Sequence, residues 1–306
     1  MLKKIFILLF FPLISFATTN PFVISPKEAS SYLNKENFLF IDTEDKESFQ
    51  KEHIKGAVNI DSMMLQDIAI KNNEKQKCNY LPLCPETAKK IFSQKGISKD
   101  KTLIIYYKKV PHKATYLWFV LYSMGFPEDK IKILDGGFNS WKINNLPVES
   151  GNEKKVKPAS FTPEPRYDAV ATVDEVLKYA KYVLINGERP KGKILIDVRH
   201  FLEYSGKQPM KEIKRAGHIP GAKFLYWKWF SGKKSTFKPV SKIKKQIKKL
   251  KINLNDEIIL YCTIGNRSSF AYIGFRLAGA KKVKIYTGGW YEWGNRDDLP
   301  IVEPRR

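Results

Sequence analysis

Cysteine and histidine are scarce in this 306-residue chain, with three copies of one and four of the other. The wide separation of His53 and His218 gives no metal-ligand spacing, and no metal or organic cofactor is expected. Acidic residues are also few: 31 stand against 54 Lys and Arg, a net charge of +23 that attracts anions generally. Long apolar runs are lacking as well. The most continuous, residues 5–16, is too short to cross a bilayer comfortably, so stable membrane insertion is not expected. What is present supports sizeable cores, since 43% of residues are hydrophobic and 13% aromatic. Disordered and fibrous classes are thereby excluded, and the length allows two ordinary domains.

Lys3 and Lys4 precede the apolar run, which ends in Ser15-Phe16-Ala17. Residues 1–17 read as a signal peptide cut near Ala17, so a periplasmic or secreted location is expected. An odd number of cysteines in an oxidising compartment leaves at least one thiol without an intramolecular partner. Cys78 and Cys84 flank five residues of a loop containing Pro82, which a short disulfide could close; two free thiols are the alternative. Cys262 is then left free.

The chain repeats itself. Four landmarks recur in one order about 150 to 165 residues apart. Pro26-Lys27-Glu28-Ala29 and Val173-Asp174-Glu175-Val176 open amphipathic helices after Ser25 and Thr172 caps. Residues 38–42 and 194–197 are apolar runs ending in Asp42 and Asp197, as buried parallel strands do. His53-Ile54-Lys55-Gly56-Ala57 matches His218-Ile219-Pro220-Gly221-Ala222, and Gly136-Gly137-Phe138 matches Gly288-Gly289-Trp290. Between the last two landmarks each half runs a strand (103–107; 258–261) into a helix (near 113–124; near 268–278). Alternating strands and helices predict two α/β domains, each a mainly parallel sheet flanked by helices. Pro158, Pro163 and Pro165 mark residues 151–166 as a linker between domains spanning 22–150 and 167–306.

The chemistry gathers in the second half. After the strand at 258–261 come Cys262-Thr263-Ile264-Gly265-Asn266-Arg267-Ser268-Ser269, and then a helix. A cysteine at a strand-to-helix turn meets converging backbone N–H groups and the positive end of the helix, both of which favour thiolate. Gly265 permits unusual backbone angles, Ser268 or Ser269 is placed to cap the helix, and Arg267 to hold an anion.

These landmarks, with a C-x-x-G-x-R loop in the second copy alone, resemble the tandem-domain rhodaneses, the thiosulfate and mercaptopyruvate sulfurtransferases. The resemblance covers about residues 22–302. It implies that Cys262 takes a sulfane sulfur from a small anionic donor, becomes a persulfide, and passes the sulfur to cyanide, a thiol or a sulfur-accepting protein. Thr263, Ile264, Gly265, Asn266 and Arg267 would then contact substrate. The first domain, which sets Tyr107 or Lys108 opposite Cys262, would be a non-catalytic wall of the cleft. Where many tandem members carry an arginine six residues after the second-domain aspartate, this chain has Glu203; Arg199 and Arg215 are the nearest basic substitutes. The loop's arginine ending favours thiosulfate or polysulfide over mercaptopyruvate.

A C-x5-R phosphatase is disfavoured, because the sixth residue after Cys262 is Ser268. A persulfide carrier or redox scaffold that docks a partner without small-molecule turnover is the rival from another class. The lysine-rich segment 242–251 keeps Ile243, Ile247 and Leu250 at helical spacing, so one face packs while the lysines are solvated. Nucleic acid is not an expected partner. His53, His218, Trp290 and Trp293 read as packing residues, and Asp42 and Asp197 as turn caps.

Overall fold

A computed structural model describes residues 20–75 and 77–303; the leader expected at 1–17 lies outside them. The first half forms strands β1 (Val23–Ile24), β2 (Phe38–Asp42), β3 (His53–Ile54), β4 (Val58–Asn59), β5 (Thr102–Tyr106), β6 (Ile131–Leu134) and β7 (Val148–Glu149). Its helices are α1 (Pro26–Ser30), α2 (Lys46–Lys51), α3 (Ser62–Glu74), α4 (Pro85–Gln94), α5 (Pro111–Ser123) and α6 (Gly137–Ile143). The second half forms β8 (Lys193–Asp197), β9 (Lys223–Phe224), β10 (Glu257–Tyr261) and β11 (Val283–Ile285). Helices α7 (Val173–Asn186), α8 (Phe201–Tyr204), α9 (Val240–Lys249), α10 (Asn266–Ala278) and α11 (Gly289–Asn295) accompany them.

Each domain is built on a parallel sheet, ordered β1-β6-β5-β2-β4 in the first and β11-β10-β8-β9 in the second; β3 and β7 add a small antiparallel ribbon. Register places Asp42 beside Tyr106 and Asp197 beside Tyr261 at corresponding strand ends. The central strands are continuous apolar runs because helices cover both faces: Ile104, Ile105, Leu195, Ile196, Ile259 and Leu260 are fully buried. Ser25 and Thr172 cap α1 and α7 by accepting from Glu28 N and Glu175 N, and Gly187 ends α7 in the left-handed region that favours glycine.

The repeat extends to individual hydrogen bonds. Tyr106 and Tyr261, the last strand residues before the two loops, accept at their hydroxyls from Ile54 N and Ile219 N, at 3.1 and 3.2 Å. His53 stacks on Phe49 and meets its carbonyl through Nδ1 at 2.9 Å, just as His218 meets Tyr204. Trp141 and Trp293 donate from Nε1 to Pro147 O and Pro300 O. These residues fix the turns around the strand ends. Both sheets therefore present their strand-to-helix loops on equivalent frameworks.

One apolar core runs across both domains. Helices α5 and α10 pack together through Trp118, Phe119, Tyr122 and Tyr272, and Thr115 Oγ1 and Ser269 Oγ hydrogen-bond at 2.9 Å. The helix that follows Cys262 is thus braced by the helix that follows the first domain's equivalent loop. Burying aromatic side chains of this size contributes roughly 2–3 kcal/mol each.

Candidate active site

Cys262 leaves the carboxyl end of β10, the edge at which open parallel α/β sheets bind ligands. It is fully buried, and among the described residues it is the one cysteine outside a disulfide; Cys78 and Cys84 are bridged, with Cα atoms 5.3 Å apart. Trp290 N donates to Cys262 O at 2.8 Å. Gly289 sits at φ 56°, and a Cβ there would come within 2.6 Å of Cys262 O and 2.4 Å of Thr263 O, so only glycine fits. Pinning these carbonyls outward leaves the loop's N–H groups to turn toward the sulfur. Gly265, at φ 97°, donates its N–H to Cys262 Sγ at 3.2 Å. Ser268 Oγ and Asn266 Oδ1 each lie 3.6 Å from the same sulfur.

Helix α10 begins at Asn266, two residues earlier than expected, with left-handed Gly265 at its N-cap. Ser268 and Ser269 therefore lie inside its first turn rather than capping it; their hydroxyls turn back to Gly265 O and Asn266 O. Asn266 Oδ1 accepts from Arg267 N instead.

Arg267 reaches Glu203, not open solvent. Its two terminal nitrogens donate to the two carboxylate oxygens at 2.6 and 2.9 Å, and it also donates to Thr263 Oγ1. Burial disfavours charge on both partners, yet mutual hydrogen bonding and attraction hold Glu203 below, and Arg267 above, their ordinary values. The departure visible at Glu203 thus removes one cation and engages another. The two nearest basic residues are both held by protein acceptors. Arg199 is buried, donates to both Asp197 oxygens and Gly217 O, and lies over Trp290. Arg215 donates to the carbonyls of Trp293, Gly294, Arg296 and Leu299, closing the end of α11. Both arginines are occupied as braces, and neither hydrogen-bonds Cys262.

The first domain contributes residues that the motif reading did not name. Gln66 on α3 accepts from Asn266 Nδ2 at 3.3 Å, while its own Nε2 is buried without a partner. Tyr116 on α5 is wholly buried, its hydroxyl is also unpartnered, and a Cβ on Gly265 would lie 3.5 Å from its ring. Burial, and then the charge of Cys262, push the Tyr116 phenol up, so it remains a neutral donor. His112, one residue into α5, is pushed down to about 3 by burial and then by Arg267, Lys113 and Lys228. Nothing local in the sequence marks Gln66 or Tyr116, since both reach the loop only through domain packing. Among the described residues no group of His, Cys, Asp or Glu is arranged to hold a metal ion.

The second sequence-predicted loop therefore brings Cys262, Thr263, Gly265, Asn266 and Arg267 together, while Ile264 turns to a neighbouring cavity of about 290 Å³. Compared with known proteins, the chain matches the rhodanese-like domain family twice, over residues 25–144 and 181–296. The chain belongs to the rhodanese family. A Mycobacterium bovis protein with a provisional thiosulfate sulfurtransferase name is 31% identical to this tandem rhodanese, covering 91% of it and 96% of the relative. The sulfur carrier protein TtuD of Thermus thermophilus is 32% identical over 70% of this chain and 75% of its own. Among solved structures, an anaerobic ergothioneine biosynthesis enzyme from Chlorobium limicola superposes with a TM-score of 0.79 at 21% identity. That alignment covers 94% of this rhodanese and 71% of the enzyme, a likeness of fold.

Proposed function

We propose that this tandem rhodanese is a sulfurtransferase that moves a sulfane sulfur from thiosulfate, or a similar inorganic donor such as polysulfide, to a thiophilic acceptor through a Cys262 persulfide. The observation that carries the reading is the Gly265 N–H directed at the sulfur of a cysteine outside any disulfide. The Cys262 thiolate attacks the outer sulfur of thiosulfate. A new S–S bond forms, the old one breaks, and sulfite leaves with its electron pair. The loop N–H then stabilises the bound sulfur as an anion. Cyanide or a thiolate takes that outer sulfur and returns Cys262 as thiolate.

With Arg267 balanced by Glu203, the loop offers a donor neutral hydrogen bonds more than net charge. Burial of Cys262 favours small reactants over a protein nucleophile. The carrier reading keeps support from the named Thermus relative, and turnover separates the two. Steady thiocyanate formation from thiosulfate and cyanide supports transfer; a single stoichiometric release that halts without a partner protein supports carriage. We further propose export to the periplasm or beyond, a reading supported by the leader-like residues 1–17 and by the Cys78–Cys84 bridge. Mass analysis of secreted and cytosolic fractions tests it.

A further inference from the structure

At the carboxyl end of β5 the first domain has a loop where the second has Cys262: Phe138 N donates to Tyr107 O as Trp290 N donates to Cys262 O. Open parallel α/β sheets bind ligands at this edge. Beside the first-domain loop is a cavity of about 540 Å³. That lies within the range of roughly 300–1,000 Å³ for small-molecule sites and leaves room for more than a single oxyanion. Its walls come from both domains, with Lys109, Ser140 and Ile143 on one side and Lys233 and Lys234 on the other, and no carboxylate is among its lining residues.

The second-domain wall is held in place. Residues 231–237 form a closed turn, with Ser231 and Phe237 bridged antiparallel and Gly232 N donating to Thr236 O at 3.3 Å. Thr236 is buried against the first domain. Its N–H donates to Asp135 Oδ1 at 2.7 Å, its Oγ1 accepts from Gly136 N at 3.1 Å, and that oxygen lies 3.2 Å from the Tyr107 hydroxyl. Gly136, at φ 69°, allows the close approach, because a Cβ there would come within 2.7 Å of Lys234 O. Lys233 and Lys234 are thus carried to the first-domain loop by contacts across the domain boundary.

The charges nearby are already matched, and those of the cavity are not. Lys108 is engaged inward, donating from Nζ to the carbonyls of Ser48 and Glu52 and lying 3.8 Å from Asp42. Glu44 is held by Lys113 and Lys108 N, and Glu52 by Lys142. Lys109, Lys233 and Lys234 are exposed and form no ion pair with a described residue. Three like charges around one concave surface without a carboxylate focus a positive potential into it. Val110 is extended and Pro111 has no N–H, so side-chain charge, not a backbone nest, is what this loop offers an anion. Ile143, 80% exposed, sets an apolar surface beside the lysines.

We propose that this cavity is a second anion site, separate from the Cys262 loop, which takes a small organic molecule carrying two or more phosphate or sulfate groups. Lys109 on one wall and Lys233 and Lys234 on the other bind separate anionic groups, Ser140 adds a hydroxyl donor, and the carbon frame lies on Ile143. The site stands whether or not Cys262 carries a persulfide.

The test titrates fructose 1,6-bisphosphate and fructose 6-phosphate into the full-length protein by calorimetry at low ionic strength. One bisphosphate is expected per chain, bound about tenfold or more tightly than the monophosphate, the scale of one further charge pair. Replacing Lys109, Lys233 and Lys234 together by glutamine lowers bisphosphate affinity at least tenfold. Replacing Lys244, Lys248 and Lys249 on α9 by glutamine removes the same charge elsewhere and changes affinity less than twofold. No binding to the wild type, equal weakening in the two triple variants, or equal affinity for the two sugars overturns the proposal. A second measurement needs no variant: lysines of the wild type are acetylated with and without the bisphosphate and mapped by mass spectrometry. Protection of Lys109, Lys233 and Lys234 beyond that of the α9 lysines supports the site, and uniform protection, or none, overturns it.

Discussion

Two strand-to-helix loops, one in each domain, occupy the same place on the same scaffold and differ in almost every residue. Tyr107 N-terminal to α5 stands where Cys262 stands before α10: Phe138 N meets Tyr107 O, and Trp290 N meets Cys262 O, both at 2.8 Å. Lys108, Lys109, Val110, Pro111 and His112 then face Thr263, Ile264, Gly265, Asn266 and Arg267. Val110 is extended, at φ −123°, and Pro111 lacks an N–H, whereas Gly265 at φ 97° turns its N–H onto the sulfur. Lys108 is drawn away to the carbonyls of Ser48 and Glu52. The difference teaches that the sheet and the tyrosine, histidine and tryptophan braces make a loop site available. A single residue able to adopt positive φ then decides whether the loop can cradle an anionic sulfur.

Grafting across the two loops breaks the comparison most severely at that glycine. Gly265→Val, which copies Val110, is expected to lower sulfur transfer by about a hundredfold and stability by roughly 1–3 kcal/mol, because a β-branched residue resists positive φ. Thiocyanate kinetics and urea unfolding check both halves. Next in size is Glu203→Gln, which releases the Arg267 guanidinium. It should destabilise by about 1–3 kcal/mol and lower KM for thiosulfate several-fold at low salt. The pH dependence has a definite sign. Burial opposes Glu203 ionisation but its bonds to Arg267 prevail, so the folded carboxyl titrates below its ordinary 4.5. The pair's stabilisation is present above that value and lost as pH falls through the folded pKa, and in Glu203→Gln that acid-side loss disappears. Melting curves from pH 3 to 7 measure it.

Smaller effects sharpen what the first domain lends to the second. Tyr116→Phe removes one buried, unpartnered hydroxyl beside the cysteine loop. It is expected to slow sulfur transfer about three- to tenfold while leaving Tm unchanged or higher, since an unsatisfied buried polar group carries a cost. A drop in Tm with unchanged rates would mark the hydroxyl as purely structural. The smallest gain is expected from Tyr107→Cys, which supplies a nucleophile without the glycine. Combined with Cys262→Ser, it should load no sulfur, because Val110 and Pro111 keep the nest open; loading there would sink the comparison.

Much of this organisation was legible in the residues, and the reason is local. Strands ending at Asp42 and Asp197, caps at Ser25 and Thr172, and paired histidine and glycine turns act over a few positions, so their chemistry is written in short segments. The cysteine loop was legible for the same reason. The start of α10 was misjudged because Gly265, not a serine, caps it. What Arg199 and Arg215 hold is not legible locally, because a basic residue near a site in sequence is free only if no acceptor is nearer in space. Asp197, two residues away, and carbonyls about 80 residues away hold them. Gln66 and Tyr116 were invisible for the converse reason. They meet the loop across about 150 to 200 residues, through domain packing that no local pattern encodes.

The most direct measurement is the intact mass of reduced, folded protein after exposure to thiosulfate, with Cys262→Ser alongside. One added sulfur atom on the wild type, absent from the variant and removed by cyanide, is the predicted result. An unchanged wild-type mass with Cys262 demonstrably reduced, or equal sulfur loading on Cys262→Ser, would contradict a persulfide on this cysteine.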